Sequence, residues 1–176
     1  MRPLLLGGRT VPRSKSFASW LISTWLPVVL MLAVIGREST SMFSSDNTSP
    51  LIRAVYEAIA GHVADWQWPP ILHVIRKSGH FLGYGTLGLT FLRACLIFWS
   101  SWLKHRSVWI WRGYSVAMAL GCTAFVASLD EIHQSFLPDR TGIPQDVLLD
   151  TLGAVVLILF CSTFWIRRPW QREEKA

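Results

Sequence analysis

From Phe17 to Ile35 the chain contains no Asp, Glu, Lys or Arg. At 1.5 Å per residue, about 19 helical residues cross a hydrocarbon core of roughly 30 Å. A stretch of that kind needs either a large protein core around it or lipid. The chain is too short and too apolar for the first. Its 176 residues are 51% hydrophobic and 16% charged, with a mean hydropathy of +0.35, whereas soluble domains carry about 25% charged residues. Ser78–Trp99, Gly113–Leu129 and Val147–Ile166 are apolar in the same way apart from a few polar residues. The expected architecture is an all-α membrane protein, a four-transmembrane-helix bundle with a short extracytoplasmic interfacial helix. A cleaved signal peptide is the rival reading of the first segment, since Arg2, Arg9, Arg13 and Lys15 precede it. Its apolar run is longer than a signal peptide needs, and no A-x-A-like cleavage site follows it.

Lys and Arg in the flanks set the expected orientation. They gather in the N-terminal flank, in the connection between the second and third spans (Lys104, Arg106, Arg112) and in the tail (Arg167, Arg168, Arg172, Lys175). This places residues 1–16 and 167–176 as basic cytoplasmic flanks of a membrane domain over 17–166. The cytoplasmic (inner) membrane of a bacterium, with both termini cytoplasmic, is the expected location. Connections 37–77 and 130–146 then face outward. Trp99, Trp102, Trp109, Trp111, Trp165 and Trp170 fall near the inner boundary, where amphipathic rings prefer to sit. Arg93, near the inner end of the second span, is expected to snorkel to the headgroups. The net charge of +6 reports this topology. No basic stripe interleaved with aromatics signals nucleic acid.

In the first outer connection, Ser49-Pro50 reads as an N-cap and first helical position. Ile52, Val55, Tyr56, Ile59, Val63 and Trp66 then recur at helical spacing, and the Pro69-Pro70 pair ends the segment. A helix lying in the interface and one packed across the top of the bundle both fit. Cys95, Cys122 and Cys161 all fall inside spans and read as packing residues, not disulfide partners.

Polar residues at membrane depth carry the functional signal. Lys77, His80 and Tyr84 share one helix face at i, i+3 and i+7. The third span ends in Asp130-Glu131-Ile132-His133-Gln134, where Asp130 and Gln134 share a face if the helix continues. After a turn-rich loop with Arg140, the fourth span opens with Asp146 and Asp150, again four apart. Three helix ends thus bring ionisable groups to one level. Each costs about 2.5–3.5 kcal/mol to insert at mid-membrane, and such groups usually line an interior or a wet cavity. Two readings follow, an ion-pair network gluing the helices together or a functional pocket.

The run Lys77-Ser78-Gly79-His80-Phe81-Leu82-Gly83-Tyr84, then Asp130 through Phe136, then Arg140 with Asp146 and Asp150-Thr151-Leu152-Gly153, resembles the VanZ-like family of bacterial membrane proteins. The resemblance covers essentially the whole chain from the first span to the fourth. It implies a multi-spanning inner-membrane protein, and its founding member is associated with low-level resistance to teicoplanin, a lipid-bearing glycopeptide. Where the family's fourth helix usually carries Asn, this chain has Asp150.

No cofactor is expected. His80, His133, Asp130, Glu131 and Asp146 are of types that ligate metals, but neither His-x-Glu-x-x-His nor His-Glu-x-x-His is present, and Lys77 and Arg140 favour charge pairing of the carboxylates instead. Hydrolysis using His80 and a carboxylate is chemically feasible, yet no activated-serine motif accompanies it. The leading expectation is a polar pocket of Lys77, His80, Tyr84, Asp130, Glu131, Gln134, Arg140, Asp146 and Asp150. It would bind a membrane lipid headgroup or lipidated small molecule, with Lys77 and Arg140 on anionic groups. The alternative is a membrane-embedded enzyme acting on a lipid-linked phosphate or ester. Proton-coupled transport needs a polar path across the bilayer, and the spans become apolar below Tyr84 and Asp150.

Overall fold

The computed structural model describes residues 16–103, 105–138, 140 and 142–166, with side chains at all of them except 101 and 164–166. The basic residues 2–15, Lys104, the tail from Arg167 onward with Trp170, and the Trp165 side chain lie outside the described residues. So do Asp139 and Thr141 of the turn-rich loop.

Five α-helices and one 3-10 turn make up the described chain, and no strand occurs among these residues. They are α1 (Phe17–Glu38), α2 (Ser45–Ala60), α3 (Trp68–Trp102), α4 (Val108–Ser135) and α5 (Pro144–Ile166), with the 3-10 turn Ser41–Phe43 between α1 and α2. Helices α1, α3, α4 and α5 are each long and apolar enough to cross a membrane. Their outward surfaces agree with a lipid solvent. On α1, Phe17, Ile22, Leu26, Val29 and Leu30 are all exposed, a continuous apolar surface that water would not tolerate.

Boundaries of three helices differ from expectation, each for a local reason. The helix α3 begins ten residues before Ser78, because Pro69 and Pro70 fall in its first turn, where a missing backbone N–H breaks no helical bond. The proline pair therefore starts a helix instead of ending one. At 35 residues this helix is about 52 Å long, so its first turns extend beyond the apolar slab. The N-cap of α2 is Ser44, whose Oγ accepts from the Asn47 N–H at 3.4 Å, and Pro50 lies inside the helix. Ser49 has a different task, accepting from Trp68 Nε1 at 2.7 Å. Both ends of α4 extend past the apolar stretch. Ser107 caps its start, and the acidic Asp130–Glu131 pair stays helical and turns inward.

Helix α2 packs on the start of α3 through a small satellite core of Val63, Trp68 and Leu72, with Ile52 and Tyr56 against it. The neighbouring apolar stripe of Leu51, Val55 and Ile59 is exposed. Arg53 pins the following turn, bonding Glu57 at 3.1 Å, Asp65 at 2.7 Å and the Val63 carbonyl at 2.8 Å. Its guanidinium holds the Glu57 carboxyl below the ordinary value.

The bundle is organised around α3, which packs on α1, α4 and α5. On α4, Trp111, Ser115, Ala119, Thr123 and Ala127 recur every four residues and are all buried, and the next step of this stripe is Glu131. Small residues let backbones approach closely where no hydrophobic force drives membrane helices together. Ser115 and Thr123 turn their hydroxyls back to carbonyls four residues earlier, so the stripe leaves no polar atom of theirs unpaired. Trp111 belongs to this core, donating from Nε1 to the Leu96 carbonyl at 3.1 Å, and not to an interfacial belt. Trp102 and Trp109 are exposed as a belt requires. Arg93 does not simply snorkel, since its Nη1 donates to the Ser23 carbonyl at 2.9 Å and ties α3 to α1.

The tightest approach is between α3 and α5. A Cβ on Gly153 would stand 2.2 Å from the Phe81 carbonyl oxygen, and one on Gly88 2.6 Å from the Ala154 Cβ. Gly153→Ala should therefore force the helices apart and cost about 1–3 kcal/mol, the usual range for overpacking. Gly121→Ala, facing open space in α4, should be neutral or stabilising. Thermal unfolding of both variants in detergent checks the contrast, and equal melting temperatures would contradict the packing.

Candidate functional site

The α3–α5 contact sets the site, because the same two helices carry Lys77, His80 and Tyr84 on one side and Asp146 and Asp150 on the other. Lys77 Nζ is ion-paired with Asp146. One turn deeper, His80 Nδ1 lies 3.5 Å from Asp150 Oδ1, and Asp150 is completely buried. One further turn along, the buried Tyr84 donates from its hydroxyl to Asp130 Oδ2 at 2.8 Å. Gln134 Nε2 donates to the same oxygen at 2.9 Å, so Asp130 and Gln134 do share a face of a continuous α4. The His80 and Tyr84 rings stack with centroids 6.3 Å apart.

The loop between α4 and α5 completes the cluster by folding back on α4. A Cβ on Gly142 would stand 2.2 Å from the Glu131 carbonyl oxygen, so only glycine permits this approach. It brings the Ile143 N–H to Glu131 Oε2 at 2.8 Å. Arg140 turns to the end of α1, where Nη2 donates to the carbonyls of Glu38 at 2.6 Å and Thr40 at 3.1 Å. Burial lowers its pKa from the ordinary value, against the upward pull of nearby Asp130 and Glu131. Ser39 Oγ and His133 Nδ1 meet at 2.9 Å, which ties the end of α1 to α4 directly.

All nine residues singled out from sequence thus lie at the α2 end of the bundle, but their pairing differs from the expected one. Lys77 neutralises Asp146 alone, and Arg140 is engaged by backbone. Among the described residues no ion pair reaches Asp130 or Glu131. Three buried carboxylate oxygens, Glu131 Oε1 and both Oδ of Asp150, have no hydrogen-bond partner, and neither has His80 Nδ1. Side-chain oxygens in that state are costly and uncommon.

Beside the cluster lies a cleft between α1, α3 and α4, lined by Ile35, Glu38, Ser39, Gly79, His80, Gly83, Tyr84, Asp130 and Gln134. Its floor is open because the glycines at 79 and 83 of α3 have no atom within 4 Å of where a side chain would begin. Glu38, Ser39 and this glycine pair were not among the residues singled out. The i, i+4 glycine spacing beside His80 was the one available signal of a groove, since neighbours four apart share a helix face.

Residues 17–166 match the family model VanZ/LLP1. The chain belongs to this family. The match spans all four membrane helices and every residue of the cluster, so the cluster of this VanZ/LLP1 protein lies within the family domain. No curated protein and no solved structure shows significant similarity to it.

Lys77 and Asp146 join α3 to α5 at the rim, with side chains 27% and 15% exposed. Each single change, Lys77→Met or Asp146→Leu, strands a half-buried charge, whereas the double change strands none. A double-mutant cycle by thermal unfolding should give a coupling of about 1–3 kcal/mol. Strictly additive losses would show that the pair does not tie the helices.

Proposed function

We propose that this VanZ/LLP1 protein binds the headgroup of an envelope amphiphile, a membrane lipid or lipidated compound, in the cleft between α1, α3 and α4. The observation carrying this reading is the glycine-floored cleft itself, polar at one end of an otherwise apolar bundle. A headgroup entering there meets the Tyr84–Asp130–Gln134 hydrogen-bond set, while an acyl chain follows the apolar flanks of α1 and α4.

The cleft lining carries Glu38 and Asp130 and no Lys or Arg. Because Lys77 and Arg140 are already engaged, the favoured headgroup is one bearing an amine, not an anion alone. His80 and Gln134 add hydrogen-bonding capacity that suits either donors or acceptors. In this proposal the cleft opens on the extracytoplasmic side of a bacterial inner membrane, as the Lys and Arg bias implies. A role in the response to lipid-bearing glycopeptides is consistent with the family.

A Cβ at Gly83 meets nothing within 4 Å, so Gly83→Leu starts into the open cleft floor and raises helix propensity, and the variant should fold and insert. Native mass spectrometry after exchange into micelles with a phosphatidylethanolamine should show one bound lipid on the wild-type chain. From a lipid titration, the Kd on Gly83→Leu should rise at least about tenfold, equivalent to 1.4 kcal/mol of lost affinity. Equal lipid occupancy on both proteins would refute the cleft as the binding site.

A further inference from the structure

We propose that His80, Glu131 and Asp150 form a binding site for a divalent transition-metal ion. The inference goes beyond headgroup binding and stands even if the cleft takes no amphiphile. The ligating atoms of the three residues all lie within 4.8 Å of one another, each from a different helix, α3, α4 and α5. Bound to one tetrahedral ion with bonds of about 2.0–2.1 Å, such atoms stand roughly 3.3 Å apart. Side-chain adjustments of about an ångström close that difference.

A cluster of acids alone would carry little weight, but two independent features point to a ligand. Asp150 is 0% exposed and Glu131 6%, yet Glu131 Oε1 and both Asp150 oxygens lack a hydrogen-bond partner. Pairing with His80 does not relieve this, since Nδ1 stands 3.5 Å from Asp150 Oδ1 and is itself without a hydrogen bond. Four donor atoms of these residues thus lack a hydrogen bond, and one ligating atom from each of the three residues lies within 4.8 Å of the others. Lys77 pairs with Asp146 and the Arg140 Nη2 donates to the carbonyls of Glu38 and Thr40, so among the described residues no Lys or Arg forms an ion pair with Glu131 or Asp150.

The donor set selects the ion. One imidazole nitrogen with two carboxylates suits zinc or manganese better than calcium or magnesium, which prefer all-oxygen shells. Three protein ligands leave a fourth position open, as in exchangeable rather than closed structural sites. His80 also lines the cleft, so that position adjoins it. The second Glu131 oxygen is oriented by the Ile143 N–H, an outer-shell contact of the kind that fixes a ligand's direction.

The test uses the full chain in detergent, stripped with a chelator, equilibrated with micromolar zinc and desalted, and the metal is counted by inductively coupled plasma mass spectrometry. The wild-type chain should retain about one zinc, the number a single three-ligand site holds. His80→Ala, Glu131→Gln and Asp150→Asn should each bind zinc at least about 100-fold more weakly, beyond the cost of losing an outer-shell contact. His62→Ala, in the exposed Glu57 pair, should retain it. Circular dichroism confirms that each variant is folded, and three separate ligand changes ensure that at least one is informative. A wild-type chain that retains no zinc, or folded ligand variants that bind it as tightly as wild type, would overturn the proposal.

Discussion

The close approach of α3 and α5 is the contact on which the rest of the molecule depends. In lipid the hydrophobic effect does not press helices together, so packing needs backbones near enough for dispersion and polar contacts to act. Gly88 on α3 meets the Ala154 Cβ on α5, and Gly153 meets the Phe81 backbone, at distances no added Cβ could share, while Gly85 packs against the Leu157 side chain. This seam aligns the Lys77, His80 and Tyr84 face of one helix with the Asp146 and Asp150 face of the other. Without it there would be neither the Lys77–Asp146 pair at the rim nor the His80–Asp150 encounter one turn deeper. The stripe of small residues on α4 then brings Asp130, Glu131 and Gln134 to the same place.

Polar residues at this end of the bundle divide into two kinds. Lys77 with Asp146, Arg140 Nη2 with the carbonyls of Glu38 and Thr40, and Ser39 with His133 are contacts that tie separate segments together, and they act as glue. Tyr84, Gln134 and Asp130 form a satisfied set with one face toward the cleft. Glu131 and Asp150 are different, buried and incompletely partnered. Buried carboxylates with oxygens left without hydrogen bonds oppose folding in an apolar bundle, and functional sites are where such groups cluster.

Much of this was legible in the residue order. Uncharged segments near the length of the bilayer core mark four spans, and ionisable residues repeated at helical spacing on three helix ends foretell one polar cluster. Helix ends were less legible, because hydropathy reports lipid contact and not the extent of the helix. The α3 start at Trp68 depends on prolines sitting harmlessly in a first turn, and the inward turn of Asp130 and Glu131 depends on a stripe whose next step is acidic. Partner choice was least legible of all. That Arg140 reaches carbonyls of Glu38 and Thr40, not a carboxylate, follows from a loop fold that Gly142 alone permits. The cleft was hidden for a related reason, since glycines at 79 and 83 announce empty space only once α1 and α4 stand on either side.

The proposed metal site requires that the Asp150 carboxylate be held for a ligand and not for the fold. Thermal unfolding of metal-free Asp150→Asn beside metal-free wild type, in the same detergent, tests it most directly. Replacing a buried, unsatisfied carboxylate by a neutral isostere removes a desolvation penalty, so the variant should melt at or above the wild-type temperature. A clear drop in its melting temperature would mean that the charge stabilises the bundle through His80 and is held for the fold.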